Sequence, residues 1–360
     1  LGWLVRVILY SADSGGCEFV RCREPLRTSG VEGEIRQSVE MIGRGVRRRR
    51  GTAVLSEQIV ERVVAPIDAD VVVFQRPPHR DTPAIIEQIQ AQGVAVVVDV
   101  DDDLMTVHPQ NAAYALHAGL LSPEVNARYT AKCCGIADLV TVSTPALADR
   151  YGAHGRVQVL RNCVPAAMLD YPRHSDGHTI GWPGRIASHP GDLEVTRGGI
   201  GEALEADWRF HVIGEAADVK DALGLPQEPT ETPWIASVED YHRELGCLDV
   251  GIVPLGDTTF NSSKSFLKGI ELAAAGVPFV ASPRAEYEAL GLGILAGDRS
   301  RNWRSAVRDL TRDESLRWEL AEQGREAVGA SHTYEANGWK WAEAWGDAVT
   351  HRRGARRAAA

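Results

Sequence analysis

The chain reads as an α/β protein made of two doubly wound domains facing a cleft. Three observations predict this. Short β-branched apolar runs alternate with helical segments, the alternation breaks once and restarts, and 360 residues are too many for one small core. Val5–Tyr10, Ala69–Phe74, Val94–Val100, Leu139–Val142 and Val157–Leu160 have the composition of strands buried on both faces of a parallel sheet. Pro83–Gln92 and Pro123–Ile136 supply helices between them. Arg161–Gly177 holds two prolines, an Asn and little periodicity, which suits a linker.

The second series comprises Thr179–Trp182, Arg209–Ile213, Leu248–Val253, Val277–Ala281 and Gly293–Leu295 as strands, again with helices between. Helices over roughly Ser300–Ala330 and Glu335–Thr350 close the chain, and Trp341 and Trp345 share a face that should pack onto a domain. The expected division is a domain over 1–165, a second over 166–330, and a C-terminal helix with a basic tail over 331–360, packing back across the domains. Sheets of this kind bind ligands at the carboxyl ends of their strands.

Composition narrows the function. A net charge of −10 argues against a protein that coats nucleic acid. Arg44, Arg47, Arg48, Arg49 and Arg50 nevertheless form a basic block that could meet an anionic partner or could be a solvated loop. No apolar run is long enough to predict a transmembrane segment, and Leu1–Tyr10 reads as a first strand rather than a leader. The six cysteines make no C-x-x-C pair, so reduced thiols, a cytoplasmic setting and no metal centre are expected.

The most informative segment runs from Phe260 to Ser282. It reads as a loop, a helix capped by Ser262 or Ser263, a stop at Gly276 and Pro278, and a buried strand. A helix start offers free N–H groups and partial positive charge, which suit a phosphate. Lys264, Lys268 and Glu271 would then lie on one stripe of that helix, able to face a diphosphate and a ribose. Lys268 and Glu271 could equally be an ordinary surface pair.

Several blocks together resemble the GT-B glycosyltransferases, Rossmann-like in both halves, and within them the large retaining family 4. Gly15 and Gly16 follow the first strand. Asp99 and Asp101–Asp103 stand in the acidic turn after Val97–Val98, as in many phage and bacterial members. Leu139–Leu147, Val157–Asn162, Ile180–Arg185 with His189 and Asp192, and Asp249–Leu255 complete the set in the expected order. The resemblance implies a transferase, hexosyltransferase-like, that takes a sugar from a nucleotide-diphosphate donor with no other cofactor, a UDP-sugar being favoured.

By the same resemblance, Arg185 faces the diphosphate and Glu271 contacts the ribose. The family carries a further glutamate eight positions before the latter, where this chain has Ser263. It also carries a lysine in the loop after Arg185, which Ala187–Gly191 lacks, so Lys264 or Lys268 is expected to supply that cation. Gly184, His189, Asn261 and Ser262 line the donor side, while Gly15 and Gly16 let backbone approach the sugar. Asp102 and His108 are candidates for handling the acceptor proton, although in retaining enzymes the departing phosphate can take it. Trp234 falls near a nucleobase-side loop but reads as a buried Trp. Phage relatives make DNA modification, with hydroxymethylated bases as acceptors, an option through Arg44–Arg50. Two rival readings stay open. One is a nucleotide-sugar-binding protein that has lost catalysis. The other is an NAD-dependent oxidoreductase, which lacks a G-x-G-x-x-G after the first strand.

Overall fold

A computed structural model describes residues 5–37, 47–49, 52–54 and 66–359, the short segments 47–49 and 52–54 by backbone alone. It divides into two compact units. The first comprises Leu1–Pro109, Ala113–Arg161 and Asn337–Ala360, and the second Gln110–Ala112 and Asn162–Ala336.

In the first unit, β1 (Arg6–Ser11), β2 (Glu32–Gln37), β5 (Val71–Gln75), β6 (Ala95–Val100), β7 (Leu139–Val142) and β8 (Val157–Val159) form a parallel sheet in the order β2-β1-β5-β6-β7-β8. Every residue of β5, β6 and β7 is buried, which is why these strands read as continuous apolar runs. The chain runs outward from β1 to β2 and then returns to β5, so the direction of winding reverses between β1 and β5. Between them lies a hairpin of β3 (Arg47–Arg49) and β4 (Thr52–Val54), so part of the arginine block is strand rather than loop. Arg44 and Arg50 lie outside the described residues.

The second unit repeats the plan. Here β9 (Thr179–Gly184), β10 (Arg209–Gly214), β11 (Thr230–Pro233), β12 (Val250–Val253), β13 (Phe279–Ala281) and β14 (Ile294–Leu295) are ordered β11-β10-β9-β12-β13-β14, all parallel. The winding reverses between β9 and β12. The expected helix over Ser300–Ala330 is two, Ser300–Arg312 and Glu314–Ser331, because Asp313 leaves the helical region and accepts from the Leu316 N–H as a cap.

The final helix, Trp339–Ala359, belongs to the first unit. Trp341 and Trp345 are buried, whereas Trp339 is exposed. Trp341 lies 5.7 Å from the Arg21 guanidinium, and that arginine organises the unit's interior. Arg21 Nε and Nη2 donate to the two Asp99 oxygens at 3.0 and 2.7 Å, and Nη1 donates to the Leu160 carbonyl at 2.6 Å. Thr141 Oγ1 adds a donor to Asp99 Oδ1 at 2.7 Å. A bidentate pair this deep is favourable only because these bonds replace the lost water.

Asp99→Ala should therefore strand Arg21 in the core and destabilise the first unit by about 3–5 kcal/mol. Thermal unfolding read with near-ultraviolet dichroism, to which the packed tryptophans contribute, would check it. An unchanged midpoint would refute the assignment.

Candidate functional site

The second unit gathers charged side chains around its reversal point, from the loops that leave β9 and β12. After β9 the chain passes Arg185, a short turn over Ile186–Ser188, His189 and Asp192. After β12 it enters a turn at Gly256, a one-turn helix over Thr259–Ser262 and then the helix Leu267–Ala274.

Asp192 ties the two loops. It is buried, and its Oδ1 accepts from the Gly256 N–H at 2.8 Å and from Asn261 Nδ2 at 2.6 Å. Its Oδ2 meets His189 Nδ1 at 2.9 Å. Burial opposes ionisation of this carboxyl, but the His189 and Gly256 bonds outweigh it and hold its pKa low. With Nδ1 donating to Asp192, His189 presents the lone pair of Nε2 to Lys268 Nζ at 3.1 Å. Burial, and then Lys268 itself, push the His189 pKa far down, so the ring is a neutral bridge between carboxylate and ammonium.

Lys268 Nζ also donates to the Pro183 carbonyl at 2.7 Å and lies 5.6 Å from the Trp182 ring. Gly184 makes room for it. A Cβ there would stand 2.7 Å from the Trp182 ring and 3.2 Å from Lys268 Nζ. Burial, then Lys264, lower the Lys268 pKa to about 8. Lys264 lies over the Phe260 ring at 4.7 Å. Among the described residues neither lysine forms an ion pair with a carboxylate. Two cations therefore stand near one another here, and repulsion between them is one cause of the lowered Lys268 pKa.

One helical turn beyond Lys268, the buried Glu271 accepts from Tyr241 Oη at 3.2 Å and faces His242 Nε2 at 3.5 Å. Burial, then Glu271, raise the Tyr241 pKa well above its usual value, so the phenol stays a donor. Arg185 is exposed, bonds Ser188 Oγ through Nε at 2.9 Å, and stands 5.8 Å from the Trp234 ring. Trp234 follows directly on β11 and is 74% exposed, which overturns the expectation of a buried indole.

Two further expectations are corrected. Neither Ser262 nor Ser263 caps a helix. Thr258 caps the short helix by accepting from the Asn261 N–H, and the longer helix starts at Leu267 without a side-chain cap. Ser262 and Ser263 instead donate back to the Thr258 and Thr259 carbonyls, a bond open to hydroxyls that already lie inside a turn. Lys264 therefore sits between two helices, and only Lys268 and Glu271 share a helix face. The lysines still interact, because the bend returns Lys264 toward the same loop.

A second cluster occupies the reversal point of the first unit. Gly15 and Gly16 open a short helix after β1, and a Cβ at Gly16 would meet nothing within 4 Å. Asp13 Oδ1 accepts from the Gly15 N–H at 2.9 Å, while its Oδ2 pairs with Arg76 at 3.1 Å. Arg76 leaves β5 with a left-handed φ of 44°, a costly conformation for a residue with a Cβ. Its Nε lies 3.2 Å from Asp101 Oδ1. Burial raises the Asp101 pKa and Arg76 opposes the shift. His117 stands close by, its pKa lowered to about 4 by burial first and by Arg76 second.

The three consecutive aspartates thus have different fates. Asp101 joins Arg76. Asp103 is buried, accepts from Thr106 Oγ1 and Tyr151 Oη, and forms an ion pair with Arg150. Asp102 stands at the cluster's edge, and its carbonyl accepts from the Leu104 N–H. His108 is exposed. Sequence reading missed Asp13, Arg76 and His117. The available signal was position, since Arg76 directly follows β5 and Asp13 stands two residues past β1, the strands that flank the reversal.

No protein-family profile matches the chain, and no curated protein does. Solved structures do match. HepE of Anabaena, in complex with UDP and glucose, aligns at a TM-score of 0.65 and 12% identity over 95% of this chain and 99% of that one. A glycosyltransferase from Rickettsia africae aligns at 0.61 and 12%, over 96% and 98% of the two chains. AviGT4, a glycosyltransferase involved in avilamycin A biosynthesis, aligns at 0.60 and 14%, over 96% and 98%. At these identities the likeness is one of fold, the two-sheet GT-B architecture.

The Asp192 network makes a direct prediction. Asp192→Ala would remove the acceptor of the Gly256 N–H and of His189 Nδ1 and one of the two acceptors of Asn261 Nδ2, costing about 1–3 kcal/mol for each group left unpaired and buried. The expected result is a lower melting temperature. A midpoint equal to that of the parent would refute the network's role.

Proposed function

We infer that the chain is a glycosyltransferase that moves a sugar from a nucleotide-diphosphate donor, a UDP-sugar, to an acceptor. The observation that carries this reading is the pair Lys264 and Lys268, held without carboxylate partners at the reversal point of a GT-B unit. HepE, a neighbour in fold, was solved with UDP-glucose. Breaking the bond between the anomeric carbon and the diphosphate oxygen leaves negative charge on the diphosphate. Preorganised cations at that position lower the barrier by stabilising charge as it develops. Lys264, Lys268 and Arg185 are assigned this role.

His189 holds Lys268 in place, and the free acceptor capacity of Glu271 receives the ribose hydroxyls. The exposed Trp234, beside Arg185, offers a face for the base. Metal independence is proposed because three cations can neutralise the diphosphate. Retention of configuration follows from the resemblance to family 4.

The acceptor is assigned to the first unit's cluster, where Gly15 and Gly16 leave room for a sugar. That cluster holds one guanidinium against Asp13, Asp101 and Asp102, so its charge balance favours a hydroxyl over a phosphate. We therefore propose a neutral polyol or glycan acceptor, with Asp101 accepting a hydrogen bond from the attacking hydroxyl. An anionic acceptor, including hydroxymethylated DNA, would depend on Arg44–Arg50 instead.

Two predictions test the donor side. Lys264→Ala should raise the donor KM about tenfold to a hundredfold, the worth of one charge-assisted bond, or abolish turnover; near-normal kinetics would refute the role. In the free protein Lys268 loses its proton as the pH rises through about 8. A bound diphosphate favours the ammonium and raises that pKa, so UDP binding should take up protons around and above that pH. Affinity should be flat well below it and fall above it. Calorimetry in buffers of different ionisation enthalpy measures the uptake, and none would remove Lys268 from the diphosphate site.

On the acceptor side, Asp101→Asn should lower kcat for transfer about a hundredfold and leave UDP affinity unchanged. Labelled sugar supplied with neutral glycans and with hydroxymethylated DNA should appear only in the former. Label confined to DNA would overturn the neutral-acceptor assignment.

A further inference from the structure

Away from both reversal points, His174, Glu244 and Cys247 bring together one nitrogen, one carboxylate oxygen and one sulfur. These ligand atoms all lie within 4.8 Å of one another, and His174 Nε2 stands 3.9 Å from Glu244 Oε2. We propose that this trio is a site for a borderline-soft divalent cation, zinc by preference.

The donor set is the first argument. Imidazole, thiolate and carboxylate are the three ligand types that zinc accepts, and a tetrahedral ion needs its donors about 3.3–3.7 Å apart. His174 is half exposed, so rotation of its ring closes the remaining gap, and an ion can enter from solvent.

The surroundings prepare these groups. Thr232 Oγ1 donates to Glu244 Oε1 at 2.6 Å, which leaves Oε2, the oxygen facing His174, for the ion. That hydroxyl has one proton, so toward His211 it can only accept, and His211 Nε2–H donates to it at 3.0 Å. Thr230 Oγ1 holds the other nitrogen of His211 at 2.8 Å. Such a second layer, fixing the carboxylate from behind, is the usual support of a metal ligand. The main chain at His174 is anchored as well, its backbone N–H donating to the Gly246 carbonyl at 3.0 Å.

Helix electrostatics point the same way. Glu244 ends the helix Val238–Glu244, where the carbonyls carry partial negative charge and a carboxylate is unfavourable. A divalent cation there offsets both. It would pin the segment containing His174 to the end of the helix whose Tyr241 and His242 hold Glu271.

Cobalt is the probe. Purified full-length protein, stripped with a chelator and titrated with Co²⁺, should take up one equivalent and develop thiolate-to-cobalt charge-transfer absorption. Zn²⁺ should abolish that band. Cys247→Ser should remove it, His174→Ala should weaken Co²⁺ binding at least tenfold, and Thr232→Val should weaken it about tenfold through the second layer. Cys17→Ser should leave the band intact, Cys17 being the other thiol that is not fully buried. No thiolate band at one equivalent, or a band that survives in Cys247→Ser, would overturn the site. UDP affinity of Cys247→Ser, read separately, keeps this result distinct from that of the donor site.

Discussion

The second unit's site depends on one buried carboxylate. Asp192 binds the loop after β9 to the loop after β12, whose strands flank the point where the winding reverses. Without it, the Gly256 N–H and His189 Nδ1 would lose their acceptor, Asn261 would keep only its bond to the Gly256 carbonyl, and Lys268 alone of the groups described above would still bridge the two loops. Because Oδ2 accepts the His189 Nδ1–H, Nε2 is left as an acceptor, and that lone pair positions Lys268. The chain of bonds thus runs from carboxylate through a neutral ring to an ammonium. Each member determines which proton the next one carries.

That arrangement has a cost, and the cost points to function. Lys268 is half-buried beside Lys264, and desolvation together with Lys264 lowers its pKa to about 8. Proteins usually avoid such pairs or insert a carboxylate between them. Here the nearest carboxylates are already engaged, Asp192 by its three donors and Glu271 by Tyr241 and His242. A diphosphate would supply the missing charge and relieve the repulsion.

Much of the fold was legible because interior parallel strands are apolar on both faces, as in β5, β6 and β12. Two of the missed strands have a sequence that says little. β2, Glu-Gly-Glu-Ile-Arg-Gln, and β11, Thr-Glu-Thr-Pro, are polar edge strands that pair on one side only. The cap was misassigned because Thr258, Ser262 and Ser263 are all suitable residues, and only the bend after Ser263 decides among them. Arg185, Lys268 and Glu271 could be picked out as charges beside glycines and helix starts. The part played by Asp192 could not, since two of its donors lie 64 and 69 positions away. Asp13 and Arg76 were hidden for the same reason, being 63 positions apart.

The two clusters differ in charge, and the difference bears on what each can accept. Around Lys268 the positive groups Arg185, Lys264 and Lys268 exceed the negative ones, Asp192 and Glu271. Around Arg76 the balance is reversed, with Asp13, Asp101 and Asp102 against one guanidinium, while His117 is kept neutral. Arg76 has a left-handed backbone and is paired with Asp13 and Asp101, so a phosphate would have to compete with both carboxylates for the same donors. A hydroxyl need not compete. It can donate to a carboxylate and accept from the guanidinium at once, which a fully ionised phosphate cannot do. The two units thus carry opposite balances, the second with paired ammoniums around Lys268 and the first with a surplus of carboxylates around Arg76.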